Sequence, residues 1–201
     1  DFPYTSELNP STFSFSVWVR VTGGQGNMRG VISSRSTAGG VIRGFILYAA
    51  SNNIWQFWIG SNTVTNLLLG PAVPLNTWTH VAVTYDASTL TMRLYINGTQ
   101  VDARSSTVYV TNNASPLRIG AAGSANSVFH HLPGQVDDLQ MYKRVLNASE
   151  VLDLFNNPGK ITDGDCNNNA APDDCDVLNL TSDDCNGNSI PDECEPDCNS
   201  N

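Results

Sequence analysis

The sequence predicts an all-β protein, an antiparallel β-sandwich with one short late helix, carrying a disulfide-stapled tail. Three observations lead there. Apolar and polar residues alternate in short runs through residues 1–160, turn-forming residues separate those runs, and residues 161–201 change abruptly to Asp, Asn and Cys. The expected domains are therefore 1–160 and 161–201, a division that suits a 201-residue chain with one core and an appendage.

The strands follow in order. FSFSVWVRV (13–21) sets Phe13, Phe15, Val17, Val19 and Val21 on one face and Ser14, Ser16, Trp18 and Arg20 on the other. A Gly-rich turn (22–27) leads into VISSR and then GFILYAA (44–50), and WQFWIG (55–60) places Trp55, Phe57 and Ile59 together. TWTHVAVTYD (77–86) and LTMRLYING (90–98) form the next pair, with Leu90, Met92, Leu94 and Ile96 on one face and Asn97-Gly98 as a hairpin turn. Shorter strands are expected at 99–103, 116–121 and 135–142. One helix interrupts the series: Asn147 caps it with Glu150 three residues on, Val151, Leu154 and Phe155 form its apolar stripe, and Asn157-Pro158-Gly159 ends it. Such strands with a single late helix make an antiparallel sandwich, and their stripes are core.

The tail repeats a twelve-residue frame. Its first copy puts Asp165, Asn167, Asn169, Asp173 and Asp176 at positions one, three, five, nine and twelve; the second puts Asp184, Asn186, Asn188, Asp192 and Glu195 there. Oxygen side chains at those offsets, with a backbone carbonyl at position seven (Ala171, Ile190), are what a Ca2+ ion needs for a six- to eight-oxygen shell. A third copy begins at Asp197, Asn199 and Asn201. The composition alone would also suit a disordered acidic segment, but charge does not dictate a shared frame. Position six holds Ala170 and Ser189 instead of Gly, which favours a looser loop than an EF-hand, with affinity in the roughly micromolar to millimolar range. All five Cys (Cys166, Cys175, Cys185, Cys194, Cys198) lie in the tail. Without His beside them they argue for disulfides in an oxidising compartment and against zinc. The odd number leaves either one free thiol or a Cys198 partner outside the chain.

Charge divides with the domains. Residues 1–160 hold all ten Lys and Arg beside eight acids, a balance of +2, whereas residues 161–201 hold eleven acids and no base. The polyanion therefore calls for a cation and not for nucleic acid. No apolar run reaches bilayer length, so the chain is expected not to span a membrane. Catalysis has little support. The four Glu (Glu7, Glu150, Glu193, Glu195) form no Glu-x-Asp-x-Glu strand pattern, and Asp137-Asp138 on a regular strand would point to opposite faces. His80, His130 and His131 show no metal spacing, and no Gly-rich loop joins a strand to a helix. Acceptor sequons stand at Asn97, Asn113, Asn147 and Asn179, and Trp18, Trp55, Trp58 and Trp78 are stacking platforms for a pyranose wherever they are exposed.

FSFSVWVR, NTWTHVAVTYD (76–86), LTMRLYINGTQV, PLRIGA and GQVDDLQMYKRVLNASEV (134–151) resemble the laminin-G-like jelly roll of the concanavalin A-like superfamily, over about residues 3–157. The tail is similar to thrombospondin type 3 and dockerin-like calcium repeats. The resemblance implies a non-catalytic, extracellular, secreted or cell-surface module for adhesion, sugar binding or architecture, and fold alone does not choose among these. Two departures bear on the choice. The jelly roll usually has an opening strand before the equivalent of residues 3–10, and the third calcium loop is truncated. Reading Asn201 on into Asp1 places Phe2 at position seven and Glu7 at position twelve, so a calcium site shared between subunits is expected, with head-to-tail contacts that build a homo-oligomer or filament. The alternative is a carbohydrate-binding module of a larger secreted protein, with the tail as a rigid calcium linker.

Overall fold

The protein is described from a computed structural model, which covers residues 1–124, 127–160, 176–177, 179–185 and 191–194. Two compact units emerge, Asp1–Asn156 and Asn157–Asn201.

The first unit is a sandwich of two five-stranded sheets, every strand pairing antiparallel. The front sheet has the order β12 (Gly134–Tyr142), β1 (Phe13–Val21), β6 (Trp78–Asp86), β7 (Thr91–Ile96), β8 (Thr99–Arg104). The back sheet runs β5 (Val64–Ala72), β4 (Ile54–Ser61), β3 (Phe45–Ala49), β2 (Arg29–Ser33), β9 (Arg118–Ile119). The alternation in β1 has the expected consequence: Phe13, Phe15, Val17 and Val19 are fully buried between the sheets and meet Phe45, Leu47, Trp55, Phe57 and Ile59 from the back. Phe13 and Phe15 stack on Phe45 at 5.1 and 5.4 Å between centroids. Each such ring removed from water contributes about 1.5–3 kcal/mol, which makes this cluster the main source of stability.

Helix α1 (Ala148–Asn156) closes the outer face of the front sheet. Asn147 Oδ1 accepts from Ser149 N (2.9 Å) and Glu150 N (3.0 Å), and Glu150 returns a carboxylate oxygen to Asn147 N (2.6 Å), the reciprocal cap its sequence predicts. Val151 and Leu154 bury against Ala82, Tyr95, Tyr142 and Leu146, while Phe155 stacks on Trp18 at 5.8 Å. A small hairpin, β10 (Ala122–Ser124) with β11 (Ser127–Phe129), lies over β2 on the other side of the molecule. Gly30 permits that approach, since a Cβ there would sit 2.5 Å from Ala122 N.

Several expectations need correction. β5 and the β10–β11 hairpin have no counterpart among the expected strands. Leu90 is exposed with φ 51° in the turn before β7, so it does not share the buried face of Met92, Leu94 and Ile96. The expected strand at 116–121 shortens to two residues. Asp137 and Asp138 do not alternate: Asp138 has φ 47° at a bulge where Trp18 faces Asp137 and Ser16 faces Gln140. Trp18 is an outer-face residue, so Asp137 opposite it is on that face too, and Asp138 is near enough to act on the charge of His80 there.

Candidate functional site

Four rings cross the outer face of the back sheet. Tyr48 of β3 meets Trp58 of β4 edge to face at 5.6 Å and His130 at 5.7 Å, and His130 meets Phe129 at 4.6 Å. Period-two geometry puts them there: Phe45, Leu47, Phe57 and Ile59 turn inward, so Ile46, Tyr48 and Trp58 must turn out. Tyr48 is buried beneath the row, Trp58 and His130 are half-buried, and Phe129 is 43% exposed. Trp58 Nε1 donates to Gln56 Oε1 at 3.2 Å, fixing the indole against its own strand. Burial raises the Tyr48 pKa, while Arg35, hydrogen-bonded to that side chain, pulls it down. Burial, with Arg35 second, also holds His130 below the usual imidazole range. The row is therefore an apolar, half-exposed strip beside a cation, a surface on which the face of a sugar ring can rest.

The other Trp residues have different fates. Trp55 is entirely buried in the core, Trp18 lies half-buried beneath Phe155, and Trp78 is 40% exposed on the front sheet. His80 is buried between Trp18 and Phe155, its Nε2 2.7 Å from Ser16 Oγ; burial pushes its pKa down to about 4 against the pull of Asp138. That environment is structural.

Residues 1–152 match a laminin G model described as the concanavalin A-like lectin/glucanases superfamily. The chain belongs to that superfamily. No curated relative matches it in sequence. Among solved structures, the superfamily fold is shared with the carbohydrate-binding module CBM40 of the Ruminococcus gnavus IT-sialidase bound to α2,3-sialyllactose. That pair has a TM-score of 0.64 at 16% identity, over 75% of this chain and 85% of that one. A SAP-like pentraxin from Limulus polyphemus aligns with a TM-score of 0.54 at 17% identity, over 85% of this chain and 83% of its own. A putative carbohydrate-binding protein from Bacteroides ovatus gives 0.58 at 15% identity, over 76% of this chain and 42% of that one. At such identities the likeness establishes the jelly-roll sandwich and nothing finer.

The expected calcium ligands are placed only in part. Asp165, Asn167, Asn169, Ala171, Asp173, Asn186, Asn188, Ile190, Glu195, Asp197, Asn199 and Asn201 lie outside the described residues, as do Cys166, Cys175 and Cys198. Of the rest, Asp176 is buried and accepts Thr181 Oγ1 at 2.9 Å. Asp192 accepts Cys185 N at 2.8 Å and donates its own N–H to Asp183 O at 2.8 Å, so position nine of the second loop folds against the start of that loop. Cys185 and Cys194 are both disulfide-bonded. Among the described residues no three His, Cys, Asp or Glu gather as a metal group. The donor chemistry of the frame, carboxylate and amide oxygen throughout, fits a hard cation.

Phe2 and Glu7 both have partners within the sandwich. Phe2 exchanges N–H and C=O with Leu117 at 2.8 and 3.0 Å, and Glu7 forms an ion pair with Lys143. All four sequon asparagines are exposed; Asn97 Oδ1 accepts His80 N at 2.9 Å and Asn147 caps α1, so their side-chain oxygens are engaged. Sequence reasoning named Trp58 as one of four equal candidates but missed Tyr48, His130 and Arg35. The register of β3 against β4, which pairs Tyr48 with Gln56 and Ile46 with Trp58, was the signal that could have gathered them.

Proposed function

We propose that this chain is a non-catalytic, extracellular carbohydrate-binding module whose platform is the aromatic row on the back sheet. The observation that carries the reading is Trp58, half-exposed and braced by Gln56, in a sandwich whose solved neighbours include a sialidase carbohydrate-binding module and a putative carbohydrate-binding protein. An indole on a rigid strand offers a flat apolar area with little rotamer freedom to lose when a sugar settles on it. The tail serves as a calcium-stiffened, disulfide-bonded linker, with Asp176, Asp184 and Asp192 among its ligands, and exposed sequons such as Asn113 carry glycans. Binding of oligosaccharides to the whole chain, followed by calorimetry, tests the platform. Trp58→Ala should weaken it at least about tenfold, equivalent to 1.4 kcal/mol, while Trp78→Ala leaves it unchanged. Equal loss in both variants, with folding intact, would place the sugar elsewhere.

A second reading, subunits joined head to tail into a structural or adhesive filament, is favoured by one feature. Phe2, Leu8, Leu117, Ile119, Leu139 and Met141 line an open apolar groove of about 280 Å³, and Phe2 in its wall is 51% exposed. A segment of a second copy laid into this groove would cover it. Electron microscopy with calcium and with chelator decides: monodisperse particles in both conditions exclude the filament.

A further inference from the structure

The back sheet has a charge pattern that ring stacking alone does not require. Between Glu7 and Asp86 the sequence contains no Asp or Glu, and it contains Arg20, Arg29, Arg35 and Arg43. Strands β2 to β5 lie wholly within this stretch, and β9 adds only Arg118 and Ile119. Two carboxylates reach the margins of the sheet and both are engaged there: Asp102 accepts Leu69 N at 2.8 Å, and Asp1 pairs with Arg118.

The arginines divide by task. Arg29 is buried and donates to Ala49 O, Gly23 O, Ala50 O and Asn53 Oδ1, so it is fully used in the fold. Arg20 belongs to the front sheet, where it donates to Asn76 O and Gln135 Oε1. Arg35 and Arg43 instead flank a small depression of about 10 Å³, room for about one water, that Trp58 and Thr65 help to line. Arg43 Nη1 reaches Ala38 O at 3.1 Å. Arg35 touches Tyr48, yet its Nε is buried and has no hydrogen-bond partner in this structure. A buried guanidinium donor without an acceptor is costly, and an incoming oxygen anion would relieve that cost.

We propose that the surface at the mouth of this depression takes a pyranose bearing a carboxylate, with Trp58 under the ring and the Arg35 guanidinium on the acid group. The inference rests on the carbohydrate reading above and names its ligand class. A planar guanidinium matches a carboxylate through paired N–H donors, which a lysine ammonium cannot reproduce. The depression itself has room for about one water, about 10 Å³, so only a carboxylate oxygen enters it while the ring rests outside on Trp58 and the rest of the chain trails over His130 and Phe129.

The test is calorimetric titration of the full chain with sialyllactose, oligogalacturonate, lactose and cellotetraose at low and high salt. Thermal melts check that each variant folds. The expected result is binding of the acidic sugars at least tenfold tighter than the neutral ones, weakened by salt. Arg35→Gln should abolish that preference, Arg35→Lys should recover only part of it, and the rim variant Arg43→Gln should reduce it severalfold. Which acidic sugar binds separates a sialic from a uronic source. Equal binding of acidic and neutral sugars that still depends on Trp58 overturns the acid preference and leaves the carbohydrate reading standing. Acid-selective binding that survives Arg35→Gln overturns the site. Binding of no sugar at all removes the carbohydrate reading and this inference with it.

Discussion

His80 shows how a single side chain ties the front sheet to its helix. It is buried under Trp18 and Phe155, and its pKa falls from 6.5 to about 4 chiefly because burial disfavours the charged ring. Below pH 6.5 the unfolded chain takes up a proton that the folded chain refuses. Stability therefore declines as pH falls from 6.5 to about 4, by on the order of 3 kcal/mol in all, and His80 adds nothing further below that. His130 acts in the same direction. Asp86, held at about 2 by Ser88 and Thr89, has its effect only below 3.8, outside this window. Denaturant melts across pH 4 to 7 should show the decline, and His80→Gln should flatten most of it. An unchanged slope in that variant would assign the pH response to other groups.

Among the elements, helix α1 was the most legible, because capping chemistry is local. Asn147 and Glu150 sit three residues apart and satisfy one another's backbone donors without help from the rest of the chain. Asn147→Ala should cost about 1 kcal/mol, read as a lowering of Tm by about 2–4 °C in a domain of this size. Glu150→Ala should cost as much or more, since its other oxygen pairs with Arg144 at 2.7 Å. A shift below half a degree in both would mean the cap is idle. The strands were legible where one face is wet and the other dry, as in β1. They were lost where that contrast fails. In β5 the run Leu67-Leu68-Leu69 has no alternation, although only Leu68 is buried; Leu67 and Leu69 remain on the outer face of the back sheet. Asp138 illustrates the other blind spot, for nothing in QVDDLQMY announces a residue with φ 47° that shifts the pairing by one. The aromatic row was hidden for a related reason: its members come from β3, β4, the end of β11 and His130 just after it, which only the folded chain brings side by side.

At the scale of the whole molecule, the sandwich and the tail obey different rules. The first unit has its own buried core. The tail has eleven acids, no base and few apolar residues, so repulsion opposes compaction unless cations and disulfides offset it. Calorimetric melts should accordingly show a sandwich transition indifferent to chelator and a second, calcium-dependent event. Asp192→Ala should lower the calcium stoichiometry measured by titration. A chain that binds no calcium at millimolar concentration would leave the twelve-residue frame without its purpose.

The buried Arg29 has a consequence for whatever lands on Trp58. Its guanidinium grips Ala49 at the end of β3 and Ala50 and Asn53 in the turn that leads to β4. The two strands that carry Tyr48 and Trp58 are thereby locked together before any guest arrives. Little ordering is left to be done on association, so even a shallow landing ground can hold a ligand without first having to assemble itself.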